Sequence, residues 1–117
     1  MKKVSILVPE LSVMQAIADP QYLFSAVNQF MLASGKQPLF EVELVAASEE
    51  VVLNNGMFTV HADCLLKDVK KTDLVLIPAL FGDMQRSIEK NKEMIPWIQD
   101  QYHRGAELAS LCVGAFL

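Results

Sequence analysis

Cys112 is the residue with the most chemistry to offer. It stands in Ala109-Ser110-Leu111-Cys112-Val113-Gly114-Ala115, where an apolar run gives way to residues small enough for the backbone to turn sharply into a helix. A strand-to-helix turn of this kind is a nucleophile elbow, which lifts one side chain clear of a sheet. The free N–H groups of a helix N-terminus favour thiolate over thiol and can hold a developing oxyanion. A buried core cysteine fits the same apolar stretch, and spacing by itself leaves both readings open. The other cysteine, Cys64, has no elbow context and reads as structural. His61 follows a turn and His103 lies near a helix end, places for surface or capping residues rather than a general base. Met14, Leu80 and Phe81 suit the lining of an apolar ligand pocket or a packed core.

An elbow needs a strand before it and a sheet around it. Lys3 to Val8 is a nearly continuous apolar run, the pattern of a parallel strand covered on both faces. Asp19 is placed to cap a helix with Pro20 in its first turn; Leu23, Ala26, Val27 and Phe30 recur at helical spacing, and Gly35 stops it. Val42 to Ala46 predicts a second strand, parallel to the first through a right-handed crossover. Val51 to Leu53 and Met57 to Val60 flank Asn54-Asn55-Gly56, residues that tolerate the positive φ of a tight hairpin. The charged stretch from Lys67 to Asp73 predicts a solvated turn before a third parallel strand, Leu74 to Ile77, closed by Pro78. Asn91 to Arg104 predicts a helix with Met94, Trp97, Ile98 and Tyr102 on one face and Gly105 as terminator, and Glu107 to Leu111 a fourth strand. This alternation predicts a doubly wound, mainly parallel α/β sheet with flanking helices, whose ligands bind beyond the carboxyl ends of the strands. The segments after Val8, Ala46, Ile77 and Leu111 converge on that edge.

Composition narrows the function. The 117 residues carry a formal charge of -4 and 52% hydrophobic content, which suits a globular domain with a sizeable core. The apolar runs fall short of the roughly 20 residues that cross a bilayer, and Pro9 and Glu10 interrupt the N-terminal run before a signal peptide can form. No membrane contact and a cytoplasmic location are expected. Two distant cysteines supply neither a disulfide framework nor paired metal spacing, so no metal and no cofactor is expected. Ten Lys and Arg against fourteen Asp and Glu, without a basic cluster, leave no footprint for phosphates. These residues are not expected to touch DNA themselves.

The segment from Ala109 to Leu117 closely resembles the elbow of class I glutamine amidotransferase-like, ThiJ/PfpI-type domains in AraC-family regulators, where Thr or Val and then Gly-Ala-Phe follow the cysteine. Other parts agree in order: the opening strand, the Asn-Gly hairpin, Ala62-Asp63 with Leu66 and Asp68, and Asp73 to Pro78. The resemblance implies a flavodoxin-like fold of ThiJ/PfpI type, with residues 1–117 forming only its first part, so that Leu117 is not expected to be a natural domain end. It further implies a transcriptional regulator that senses an unknown small-molecule effector, forms a homodimer, and holds DNA through a helix-turn-helix domain beyond the chain.

Departures from the enzyme branches matter as much. Where those branches place a histidine after the cysteine, Val113 stands here and cannot relay a proton. Where they place a carboxylate after the first strand, the closest local match is Gln15, with Glu10 less well aligned. Their Pro-Gly-Gly loop is replaced by the bulkier Pro78-Ala79-Leu80-Phe81-Gly82. The resemblance thus implies a ligand site of Cys112, Val113, Gln15, Glu10, Ala79 and Leu80 with no catalytic residue. Cys112 is expected to react faster than Cys64 yet support no efficient turnover. The alternative is a cysteine-dependent hydrolase, hydratase or deglycase with Cys112 as nucleophile; His and Glu partners of the amidotransferase kind would lie beyond Leu117.

Overall fold

Apolar runs bounded by turn residues become the strands of this chain, and the computed structural model describes residues 1–111. In chain order the elements are β1 (Lys2–Leu7), α1 (Met14–Ala33), β2 (Phe40–Ala46), the hairpin β3 (Glu50–Leu53) and β4 (Phe58–His61), and β5 (Cys64–Leu65). A 3-10 turn (Leu66–Asp68) leads to β6 (Leu74–Ile77), α2 (Met84–Lys90), α3 (Met94–His103) and β7 (Glu107–Ser110). The main sheet runs β5-β2-β1-β6-β7 with every pair parallel, and β3 and β4 form a separate antiparallel ribbon.

The central strand is apolar on both sides because both sides are covered. Val4, Ile6 and Val8 face Ile17 of α1 and Val51, Leu53 and Val60 of the hairpin. Leu7, Val45, Val75 and Ile77 face Met94 and Ile98 of α3. Some polar groups within these layers are paired: Ser5 donates to Thr72 Oγ1 at 2.9 Å, and Lys3 Nζ meets Glu43 Oε1 at 3.2 Å, whereas Glu43 Oε2, Trp97 Nε1 and Gln101 Oε1 are buried without a partner among the described residues. The backbone N–H of Lys3 donates to Asp73 Oδ2 at 2.8 Å and holds that carboxyl below its usual range.

Several local expectations change. Helix α1 starts at Met14, with Val13 at its N-cap and no side-chain cap, while Asp19 and Pro20 lie inside it. Its start is set by tertiary bonds, since Val13 N–H donates to the Ala79 carbonyl at 2.8 Å. Pro20, nearly two turns further in, leaves the Ala16 carbonyl without its helical donor and crowds it. The buried side of α1 consequently carries Ile17 and Pro20, with Phe24 packed edge-on against Phe40 at 4.9 Å. Leu23 and Phe30, expected to face inward, are 66% and 74% exposed. In α3 it is Gln101, at 1%, that turns inward, whereas Tyr102 is 60% exposed. The turn from Lys67 to Asp73 is solvated only in part, because Val69 and Thr72 are buried. The short elements β5 and α2 have no counterpart in the sequence reading.

Both glycine stops hold. At Gly35, φ is +74°, and the N–H groups of Gly35 and Lys36 donate back to Leu32 and Met31, a Schellman closure. Among the described residues no helix is long and apolar enough to cross a membrane.

Candidate functional site

The chain runs from β1 to β2 on one side and returns to β6 on the other, so the direction of winding reverses between β1 and β6. At such a switch point the loops leaving the two carboxyl ends diverge and open a crevice for ligands. Here the two loops are tied by backbone bonds. Val13 N–H donates to the Ala79 carbonyl at 2.8 Å, Phe81 N–H to the Leu11 carbonyl at 2.7 Å, and Ser12 and Leu80 form an antiparallel bridge. Leu11 adopts a φ of +64°, which a side chain with a Cβ rarely takes. Ser12, buried at 5%, closes the turn by donating to the Pro9 carbonyl at 2.6 Å.

Asn91, in the link between α2 and α3, clasps this loop from the other side. Its Oδ1 accepts the Glu10 N–H at 2.8 Å, and its Nδ2 donates to the carbonyls of Glu10 at 2.9 Å and Ser87 at 2.7 Å. At 2% exposure it is a buried backbone splint. Nothing in the sequence marks it, because its partner in Glu10 is 81 residues away.

Beside the tied loops lies a cavity of about 380 Å³, bounded by the first turn of α1, the hairpin turn and Phe81. Met14, Met57, Phe58 and Phe81 form apolar walls, and Gln15, Asn54 and Asn55 supply amides. The hairpin turn reaches this place because Asn54, Asn55 and Gly56 take φ of +52°, +54° and +89°, as expected for Asn and Gly. Met14 and Phe81 therefore meet at one cavity. Gln15 joins them, whereas Glu10 lines a separate recess of about 120 Å³ with Lys90 and Glu93. Ala79 contributes its carbonyl to the loop tie, and Leu80 is buried at 5% beneath it. Cys112 and Val113 lie outside the described residues. The hairpin's part in the cavity was missed, since its placement over the switch point depends on packing of Val51, Leu53 and Val60 into the core.

Cys64 sits on edge strand β5. Hydrogen bonding to the Glu43 carboxylate and burial push its thiol up to about 11, from an ordinary 9.0. His61 is exposed and pairs with Glu50 across the hairpin at 3.4 Å, and His103 is exposed at the end of α3. Among the described residues no group of three or more His, Cys, Asp and Glu is placed to hold a metal ion.

No family model and no curated protein matches the chain. Solved structures do. A candidate transcriptional regulator from Vibrio parahaemolyticus is 18% identical, with a TM-score of 0.79 over 98% of this chain and 58% of its own. An AraC family transcriptional regulator from Pseudomonas putida is 17% identical, with a TM-score of 0.68 over 99% of this chain and 68% of its own. A DJ-1 superfamily protein from Agrobacterium tumefaciens is 16% identical, with a TM-score of 0.66 over 98% of this chain and 55% of its own. The chain thus spans little more than half of the Vibrio and Agrobacterium proteins. Its parallel sheet, covered on both faces by helices and superimposable on these structures, has the fold of the DJ-1/ThiJ/PfpI superfamily.

Proposed function

We propose that this chain is the sensing part of an AraC-type transcriptional regulator: a non-catalytic domain that binds a small-molecule effector and joins two subunits. DNA is held by a helix-turn-helix domain outside residues 1–117. The observation that carries this reading is the cavity of about 380 Å³ at the switch point, within the size range of small-molecule sites and bounded by two loops and a hairpin. The same fold occurs in an AraC family regulator and a candidate transcriptional regulator, which supports the reading.

Helix α1 supports the pairing of subunits. From Pro20 to Gly35 the sequence holds no charged residue, while Tyr22 and Phe30 are 75% and 74% exposed. An uncharged face meets its own copy without like-charge repulsion, which suits an isologous twofold contact.

The deciding experiment uses the full-length gene product. Retention of a defined DNA sequence, altered by an effector and unchanged in kind by Cys112→Ala, is the expected result. Hydrolysis, hydration or deglycation that disappears in Cys112→Ala, without any DNA retention, would instead establish the cysteine-enzyme alternative.

A further inference from the structure

Among the described residues, the walls of the switch-point cavity carry no ionised side chain. They combine two methionines, two phenylalanines and the amides of Gln15, Asn54 and Asn55. The sequence neighbours that do carry charge, Glu10 before Leu11, Asp19 one turn beyond Gln15 and Asp83 two residues after Phe81, are all carboxylates. A carboxylate or phosphate entering this space would lose hydration and find no Lys or Arg among the lining residues to replace it. The uncapped first turn of α1 offers an anion N–H groups, but a helix terminus near solvent compensates only a small part of that loss. A cation fares little better, since attraction to the faces of Phe58 and Phe81 is weaker than the hydration it would give up. A neutral molecule avoids both losses and still uses what the walls offer.

We infer that this cavity takes an uncharged, mainly apolar ring compound bearing one amide-like or carbonyl group that pairs with Gln15 and the start of α1. The inference rests on the reading of the cavity as the effector site. It also gives the ligand a mechanical consequence. Met57 and Phe81 are 71% and 72% exposed on opposite rims, one on the hairpin turn and one on the loop after β6. A ring between them removes both from water and clamps the separate β3–β4 ribbon onto the main sheet.

The test compares three probes of one shape on the full-length protein at neutral pH: naphthalene-2-carboxamide, 2-naphthoate and 2-naphthylmethylammonium. Binding is followed by the methyl resonances of Met14 and Met57 and by hydrogen exchange in the hairpin. The amide is expected to shift both methyls, to bind at least tenfold more tightly than either ion, and to slow exchange across residues 50–61. Gln15 is exposed, so Gln15→Lys should leave the fold intact and raise 2-naphthoate affinity above that of the amide. Equal or tighter binding of an ion to the unaltered protein overturns the ligand class and leaves the effector site standing. If no probe shifts either methyl at millimolar concentration, the effector-site reading itself falls.

Discussion

A thiol's usefulness is decided by what stands beside it. Cys64 faces the Glu43 carboxylate, and a pKa near 11 leaves roughly one molecule in a thousand as thiolate at pH 8. Alkylation of the intact protein followed by mass spectrometry should therefore label Cys64 slowly at pH 8 and faster only as the pH climbs toward 11. Glu43→Gln removes the acceptor charge, lowers the thiol pKa and should raise the labelling rate at pH 8 by at least about tenfold. An unchanged rate would mean that access, not ionisation, protects the thiol. The expected contrast with Cys112, whose residue lies outside the described part, is read from the same spectra.

At the level of elements, one connection braces the loop after β1 and another closes α1. The Asn91 side chain joins the loop after β1 to the link between α2 and α3 by two hydrogen bonds with the Glu10 backbone, and donates a third to the Ser87 carbonyl of α2. Asn91→Ala leaves those buried groups without their partner, and a loss of about 1–3 kcal/mol in urea unfolding is expected. A midpoint within error of the parent would show that water replaces the amide. The end of α1 depends instead on conformation alone. A Cβ built on Gly35 meets nothing within 4 Å, yet φ there is +74°. Gly35→Ala should cost about 1–2 kcal/mol through the left-handed backbone alone, measured as a fall in the unfolding midpoint with helix content retained.

Across the whole molecule, the distribution of charge separates two surfaces. The acidic balance of ten Lys and Arg against fourteen Asp and Glu leaves the outward face of α1 without charge beyond Asp19, where exposed Tyr22, Leu23 and Phe30 are apolar. In the reading of α1 as the subunit contact, sedimentation of the full-length protein gives a dimer at micromolar concentration. The double substitution Tyr22→Ser with Phe30→Ser should weaken that dimer by at least about tenfold without loss of circular dichroism. A dimer indifferent to both changes would place the contact elsewhere, and a strictly monomeric parent protein would remove it altogether.

Much of this architecture was legible along the chain. Nearly continuous apolar runs at Lys3 to Val8 and Leu74 to Ile77 suit strands covered on both faces, because a central parallel strand buries consecutive side chains on both of its sides. The terminators Gly35 and Gly105 and the turn Asn54-Asn55-Gly56 specify positive φ, a property of single residues that no distant contact needs to supply. Sequence by itself thus determined the α/β class, the sheet edge on which the loops converge, and the placement of Met14 and Phe81 near that edge. Tertiary structure decided the rest. The inward face of α1 follows from where Val13 is anchored on Ala79 rather than from the spacing of Leu23 and Phe30. Gln15 and Glu10, five positions apart, enter different cavities because Asn91 holds one side of the loop and Ser12 the other. The hairpin becomes a cavity wall only when Val51, Leu53 and Val60 dock on β1. Such outcomes depend on bonds between residues up to 81 positions apart, and periodicity along a chain carries no trace of them.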